Sequence, residues 1–224
     1  MPELAQKCIA SWHKYMPDWE YKLWNEDNFD INTNAYAKEA YEAGKFAFVS
    51  DYVRLWALCN EGGVYLDTDV EVFKSFDDLL HFSAFAGFEG SKHLPMGTCV
   101  MASEAHGLWV SEQLEHYQTR HFIKSDGSFD MSTNVQFITA KMSENGFVQD
   151  GKEQDYKDLH ILPVEYFSPR QTTGEYIRTD NTYCDHLGMC SWDDSTRGWK
   201  NIIAKVVGPK ILPRLIKTKR KLFG

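Results

Sequence analysis

FAFVSDYVRLWALCNEGGVYLDTDVEVFKSFDDLL, residues 46–80, is the stretch from which the fold is read. From Phe46 to Asn60 apolar side chains stand at 48, 49, 52, 53, 55, 56 and 59, one broad face at helical spacing, so the segment predicts a helix. Gly62-Gly63 follows, and a glycine past the last turn supplies the left-handed conformation that stops a helix. Val64-Tyr65-Leu66 then reads as a short buried strand running straight into Asp67-Thr68-Asp69. Side chains two apart on a strand share a face, so Tyr65, Asp67 and Asp69 are predicted to point into one space where the strand ends.

Two carboxylates held that close repel unless a cation or hydrogen-bond donors offset them, and a divalent metal is the simplest such cation. Hard oxygen ligands with no Cys or paired His nearby in the sequence favour magnesium or manganese over zinc. A solvated acidic turn is the plain alternative. An EF-hand counted from Asp67 needs Gly at its sixth position and Glu at its twelfth, where the sequence has Val72 and Asp78. A phosphatase-type D-x-D-x-T/V fails at its last place, Glu71, and is the weakest of the enzyme readings. What survives is a D-x-D that holds a metal between protein and a nucleotide diphosphate.

Outward from this stretch, Leu4–Tyr15 has helical spacing and is stopped by Met16-Pro17-Asp18, Trp19–Trp24 alternates like a strand, and 33–43 reads as a second helix. Ser83–Gly87, Cys99–Ala102, His160–Pro163 and Asn181–His186 are predicted strands, and Leu108–Tyr117 and Asn134–Met142 predicted helices. Alternation of the two element types predicts an α/β sheet with helices on both faces and ligands beyond the carboxyl ends of the strands.

The 224 residues, 43% hydrophobic and 14% aromatic, suffice for one domain with a full core and exclude a disordered chain. No apolar run approaches a bilayer span, and MPELAQKCIA carries a Glu and no apolar core, so neither a transmembrane helix nor a signal peptide is predicted. Five scattered cysteines without a CxxC (Cys8, Cys59, Cys99, Cys184, Cys190) suit reduced structural thiols and a cytoplasmic protein.

Charge is uneven. Residues 195–224 hold nine basic and no acidic residues, which leaves 15 basic against 32 acidic over 1–194: a body of −17 and a tail of +9. Apolar residues interleave the tail's charges, and Gly208-Pro209 and Pro213 divide it into two short amphipathic pieces. Such a tail can lie on an anionic membrane face, or pack as a last helix on the acidic body with its lysines in solvent. Nucleic acid is not a predicted partner, because the acidic body continues no phosphate track.

Residues 46–80 closely resemble the DXD sugar-binding region of glycosyltransferase family 32, with helix, Gly-Gly stop, apolar strand and D-x-D in the family's order. WNEDNFDI at 24–31 resembles the segment before that helix, and His186 followed by Ser191-Trp192 resembles the family's His-x4-Ser-Trp ending. The resemblance implies a GT-A-type (Rossmann-like) mixed sheet flanked by helices, a single domain over 1–194 with the basic helical tail of 195–224. It also implies a retaining hexosyltransferase that takes a nucleotide diphosphate sugar, a UDP-sugar, with Mn2+ or Mg2+. The acceptor would be a glycan or lipid-linked glycan in capsular or other surface polysaccharide synthesis, at the cytoplasmic face of a membrane.

Carried over residue by residue, Asp51 and Arg54, three apart on one helix face, would contact the donor sugar and its diphosphate. Asp51 can accept from sugar hydroxyls, and Arg54 can clamp phosphate or hold Asp51; an ordinary exposed ion pair is the alternative. Asp69 would ligate the metal directly, Asp67 would bond the ribose or a metal-bound water, and Tyr65 would lie beside the nucleotide or else in the core. His186 would give a nitrogen ligand, Ser191 a hydroxyl for metal or phosphate, and Trp192 an indole N–H and an apolar wall; Asp193-Asp194 is read as solvated. Asn134 and Gln136 would touch sugar or acceptor, or belong to a helix start at Ser132 or Thr133. No enzymic base is required, since in a front-face reaction the leaving phosphate can accept the acceptor's proton. Two departures stand out: Leu187 where relatives often have a second His, and a sequence beginning at Met1-Pro2-Glu3 where the family places an apolar first strand. From the second comes the expectation that this strand is lacking, and from that the rival reading of a non-catalytic nucleotide- or sugar-binding remnant.

Overall fold

The computed structural model describes residues 2–90, 95–170 and 175–188, and the backbone of 203–207. Helix α1 (Glu3–Tyr15) leads to strand β1 (Tyr21–Trp24), helix α2 (Ala35–Glu42) and the long helix α3 (Phe46–Glu61). Then come β2 (Gly63–Leu66), β3 (Val70–Val72), β4 (Ala84–Phe88), β5 (Met96–Ser103), α4 (Leu108–His116) and α5 (Asn134–Glu144). The order ends with β6 (Gln154–Tyr156), β7 (Leu159–Leu162), β8 (Cys184–His186) and β9 (Ile203–Val207). The elements predicted between residues 4 and 186 appear, displaced by a few residues at their ends.

Among the described residues the main sheet runs β1-β9-β2-β5-β4-β7-β6, and β3 and β8 form a separate two-stranded ribbon. β4 and β7 are parallel; the other pairs are antiparallel. The domain is thus a mixed α/β sheet flanked by helices, of GT-A-like kind. The parallel pair needs a long crossover, and α4 and α5 lie within it.

Alternation along the strands sorts the core onto two faces. Tyr65, Ala84, Ala86, Phe88, Met101, Leu159 and Ile161 pack with α2–α5. Val64, Leu66, Phe85, Val100 and Leu162 pack on the other face with Trp12 of α1, the β3–β8 ribbon and Phe76. A polar contact fixes α1 on the ribbon where apolar burial alone would not direct it: Trp12 Nε1 donates to the Val70 carbonyl at 2.7 Å. The helix stop after α3 forms as expected, with Gly62 at φ +69° and its N–H on the Leu58 carbonyl. Because α3 hands the chain to β2 through only this turn, the α3 face carrying Asp51 and Arg54 lies against the side of β2 that Tyr65 occupies.

Two expectations change. The strand predicted over Asn181–His186 begins only at Cys184, because Thr179 and Thr182 close a turn through a backbone bond of 3.1 Å and a side-chain bond of 3.0 Å. Within the segment expected to be helical, the backbone of 203–207 is a strand, antiparallel to both β1 and β2. Its sequence, IAKVV, has three β-branched residues, a composition that suits a strand. The remainder of 195–224 lies outside the described residues, as do Ser191, Trp192 and Asp193-Asp194. The described cysteines, Cys8, Cys59, Cys99 and Cys184, are buried and unbridged. No helix among the described residues is long and apolar enough to cross a membrane.

Candidate functional site

The carboxyl end of β2 is where the predicted residues meet. β2 ends at Leu66 and the chain turns through Asp67-Thr68-Asp69 into β3, with the Val70 N–H on the Asp67 carbonyl at 3.0 Å. The parity argument holds for the first two residues, since the Tyr65 hydroxyl donates to Asp67 Oδ1. Asp69 lies beyond the strand, and it is the turn rather than strand alternation that brings it back to Asp67. β8, paired antiparallel with β3, sets His186 opposite Val70. His186 Nε2 stands 3.5 Å from Asp69 Oδ1, and ligand atoms of Asp67, Asp69 and His186 lie within 4.8 Å of one another. Two oxygens and one nitrogen so converged match the donor set that a hard or borderline divalent cation prefers, so the residues fit the expected metal. His186 titrates well above the ordinary imidazole value: burial opposes its charge, but Cys99 and Asp69 beside it outweigh that.

Behind this triad sits a buried ion network. Arg54 is 5% and Asp51 8% exposed, so the pair is not the exposed helix pair that the spacing alone allowed. Arg54 Nη2 lies 3.2 Å from Asp51 Oδ1 and Nη1 3.3 Å from Asp67 Oδ1. The same guanidinium donates to the carbonyls of Ser50 and Thr98 and to the Ser50 hydroxyl, and its plane covers the Tyr65 ring at 4.5 Å. With its donors so engaged, Arg54 holds the two aspartates in place rather than presenting a free fork to phosphate. Burial works against its charge, yet Asp67 and Asp51 hold its pKa above the ordinary value. Asp51 is pushed up to about 6 by burial, against the pull of Arg54. Tyr65 is 2% exposed; its ring is core, and it reaches the site only through its hydroxyl on Asp67.

Asn134 and Gln136 are committed to structure. Thr133 caps α5 in a capping box with Gln136, which realises the helix-start alternative. Asn134 is 1% exposed: its backbone N–H donates to Asp51 Oδ2 at 3.0 Å, its amide donates to the Asp51 carbonyl at 3.1 Å, and its carbonyl oxygen accepts from the Tyr117 hydroxyl at 3.0 Å. The start of α5 therefore stabilises the Asp51 carboxylate through an N–H and the positive end of a helix.

Two neighbours were missed. Cys99 on β5 lies beside the acidic pair, its carbonyl accepting from the Asp67 N–H at 2.9 Å; the expectation of no cysteine nearby is corrected by sheet pairing, which sequence distance conceals. Glu89, directly after β4, stands with Cys99 and His186 in a second group whose ligand atoms lie within 4.8 Å of one another. Its position after a predicted strand was the available signal. Burial raises the pKa of both Glu89 and Cys99.

Residues 2–86 match the model of the family described as a glycosyltransferase sugar-binding region containing DXD motif. Over 82 residues the chain is 37% identical to glucan organizing enzyme 1 of Cryptococcus neoformans var. grubii, covering 33% of this chain and 22% of that protein. Over 85 residues it is 33% identical to inositol phosphoceramide mannosyltransferase 3 of Schizosaccharomyces pombe, covering 36% of this chain and 23% of that protein. The match thus spans less than a quarter of either relative's length. No solved structure matches significantly. Asp67-Thr68-Asp69 is the one D-x-D within the matched span. From α1 into β4 the chain is thus similar to a glycosyltransferase sugar-binding region, and the DXD motif of that similarity falls at the end of β2.

Proposed function

We propose that this chain is a metal-dependent retaining hexosyltransferase that moves a sugar from a UDP-sugar to a glycan or lipid-linked acceptor in surface polysaccharide synthesis. The observation that carries the reading is the convergence of Asp67, Asp69 and His186 at the carboxyl end of β2, inside the region that matches the sugar-binding family. These three would hold Mn2+ or Mg2+, which when bound neutralises charge on the leaving diphosphate. The chain's own part is positioning. Asp51, fixed by Arg54 and the start of α5, retains unused lone pairs for sugar hydroxyls, and Arg54 and Tyr65 fix the carboxylate of Asp67. The mannosyltransferase among the relatives supports a hexose donor. Surface-polysaccharide synthesis and UDP as the nucleotide rest on the family resemblance.

The test is nucleotide release from a panel of UDP- and GDP-sugars, with and without manganese, comparing wild type with Asp69→Ala. Manganese-dependent release from one UDP-sugar, abolished by the substitution, is the expected result. Release from a GDP-sugar alone would overturn the choice of nucleotide, and tight nucleotide binding without release would favour the non-catalytic remnant.

We place the protein at the cytoplasmic face of a membrane through the basic residues of 195–224. Each basic residue near an anionic surface contributes about 1 kcal/mol, so replacing Lys217, Lys219, Arg220 and Lys221 with Gln is expected to release the protein from phosphatidylserine vesicles in flotation. Equal flotation of both proteins would refute the attachment.

A further inference from the structure

The Glu89–Cys99–His186 group differs in kind from the DXD triad. It offers one carboxylate, one thiol and one imidazole, the donor mixture that zinc takes and that magnesium does not. Glu89 Oε2 is fully buried and has no hydrogen-bond partner among the described residues. A buried carboxylate oxygen without a partner is costly and calls for an explanation. The backbone is shaped to keep it there: a Cβ added at Gly97 would stand 3.2 Å from Glu89 Oε2, 3.2 Å from Glu89 Cβ and 3.0 Å from the Gly87 carbonyl oxygen. The absence of a side chain at 97 is thus what lets the Glu89 carboxyl turn inward.

We propose that Glu89, Cys99 and His186 form a second cation site, selective for zinc-like ions and adjoining the DXD position. Three protein ligands leave one tetrahedral position open for water or a substrate oxygen. His186 is shared with the DXD triad, and it lies 3.5 Å from Asp69. On this proposal the same ring nitrogen of His186 serves both sites, so filling the second site withdraws it from Asp67 and Asp69. Zinc is then an antagonist of the manganese-supported reaction. That consequence rests on the proposed transfer function, whereas the existence of the site does not.

Cobalt(II) is the probe, because ligation by a thiolate gives a near-ultraviolet charge-transfer band that oxygen and nitrogen ligands do not. Titration of the full chain with Co2+ is expected to raise this band to saturation at one equivalent. Cys99→Ser should abolish it, while Glu89→Gln and Gly97→Ala should weaken Co2+ affinity by about tenfold or more. Asp69→Asn should retain the band. Near-ultraviolet circular dichroism checks that each variant is folded, and if Cys99→Ser fails that check Cys99→Ala replaces it. A wild-type protein without the band, or a band that survives loss of the Cys99 thiol, overturns the site. Glu89→Gln and Gly97→Ala both binding Co2+ as wild type does would overturn the role of the carboxylate. In the release assay, zinc should inhibit wild type and spare Cys99→Ser. If no release occurs with any sugar the transfer function fails, and the cobalt band still decides the site.

Discussion

The backbone N–H of Asn134 donates to Asp51 Oδ2 at 3.0 Å, joining residues 83 apart in sequence. This contact ties the first turn of α5 to the middle of α3, and so ties the crossover half of the chain to the half that carries the DXD motif. Replacing the Asn134 amide by a carboxylate puts a second negative charge against Asp51. Asn134→Asp is therefore expected to lower stability by about 3 kcal/mol or more, as an unpaired buried charge does, whereas Asn134→Ala loses only hydrogen bonds, about 1–3 kcal/mol. Urea denaturation of the two variants gives the order directly.

Arg54 lies between the buried carboxylate of Asp51 and the partly exposed carboxylate of Asp67. Removing it leaves both uncompensated, so Arg54→Met is expected to cost roughly 3–5 kcal/mol. In the double variant Asp51→Asn with Arg54→Met the loss should be smaller than the sum of the single losses, because one orphaned charge is gone. A double-mutant cycle by chemical denaturation measures this coupling. Additive losses would show that the pair does not act as a unit.

Asp51 gives the metal-free protein a signed pH dependence. Its carboxyl titrates at about 6 in the fold against 3.8 when unconstrained, so the folded state binds the proton more tightly. The stability this provides is present in full below about pH 4 and is lost as pH rises through 6. The shift corresponds to at most about 3 kcal/mol. Asp51→Asn cannot ionise, so the stability difference between variant and wild type should move in the variant's favour between pH 4 and 7. Denaturant midpoints in the presence of a chelator test this, and a constant difference would contradict it.

Tyr65→Phe removes one hydroxyl and leaves the buried ring. Stability should change by about 1 kcal/mol or less, while the loss of the donor on Asp67 should weaken manganese binding by about tenfold. Electron paramagnetic resonance of free Mn2+ in titrations of both proteins separates these effects.

How much of this was legible in the sequence follows from what each feature depends on. Helix α3, its glycine stop and strand β2 rest on local spacing and turn chemistry, and they appear as read. The pairing of Tyr65 with Asp67 followed from strand parity. The role of Arg54 was half legible: its spacing from Asp51 announced an ion pair, but only the contact of α3 with β2 and β5 shows that the pair is buried and that Thr98 and Asp67 join it. Asn134 looked like a ligand residue because its type suits sugar recognition; tertiary contacts with Asp51 and Tyr117 use its polar groups instead. Cys99 and Glu89 escaped notice because they reach the site through sheet pairing, which sequence separation hides. The strand at 203–207 was misread as helical because interleaved apolar and basic residues in a short segment do not separate the two periods.

The central claim is that Asp67, Asp69 and His186 hold a divalent ion through which a nucleotide diphosphate is bound. Calorimetric titration of UDP into the full chain, with and without Mn2+, in wild type and Asp69→Asn, tests it most directly. The account predicts heat of binding only for wild type with manganese present. UDP binding that is equal without the metal, or unchanged in Asp69→Asn, would contradict it.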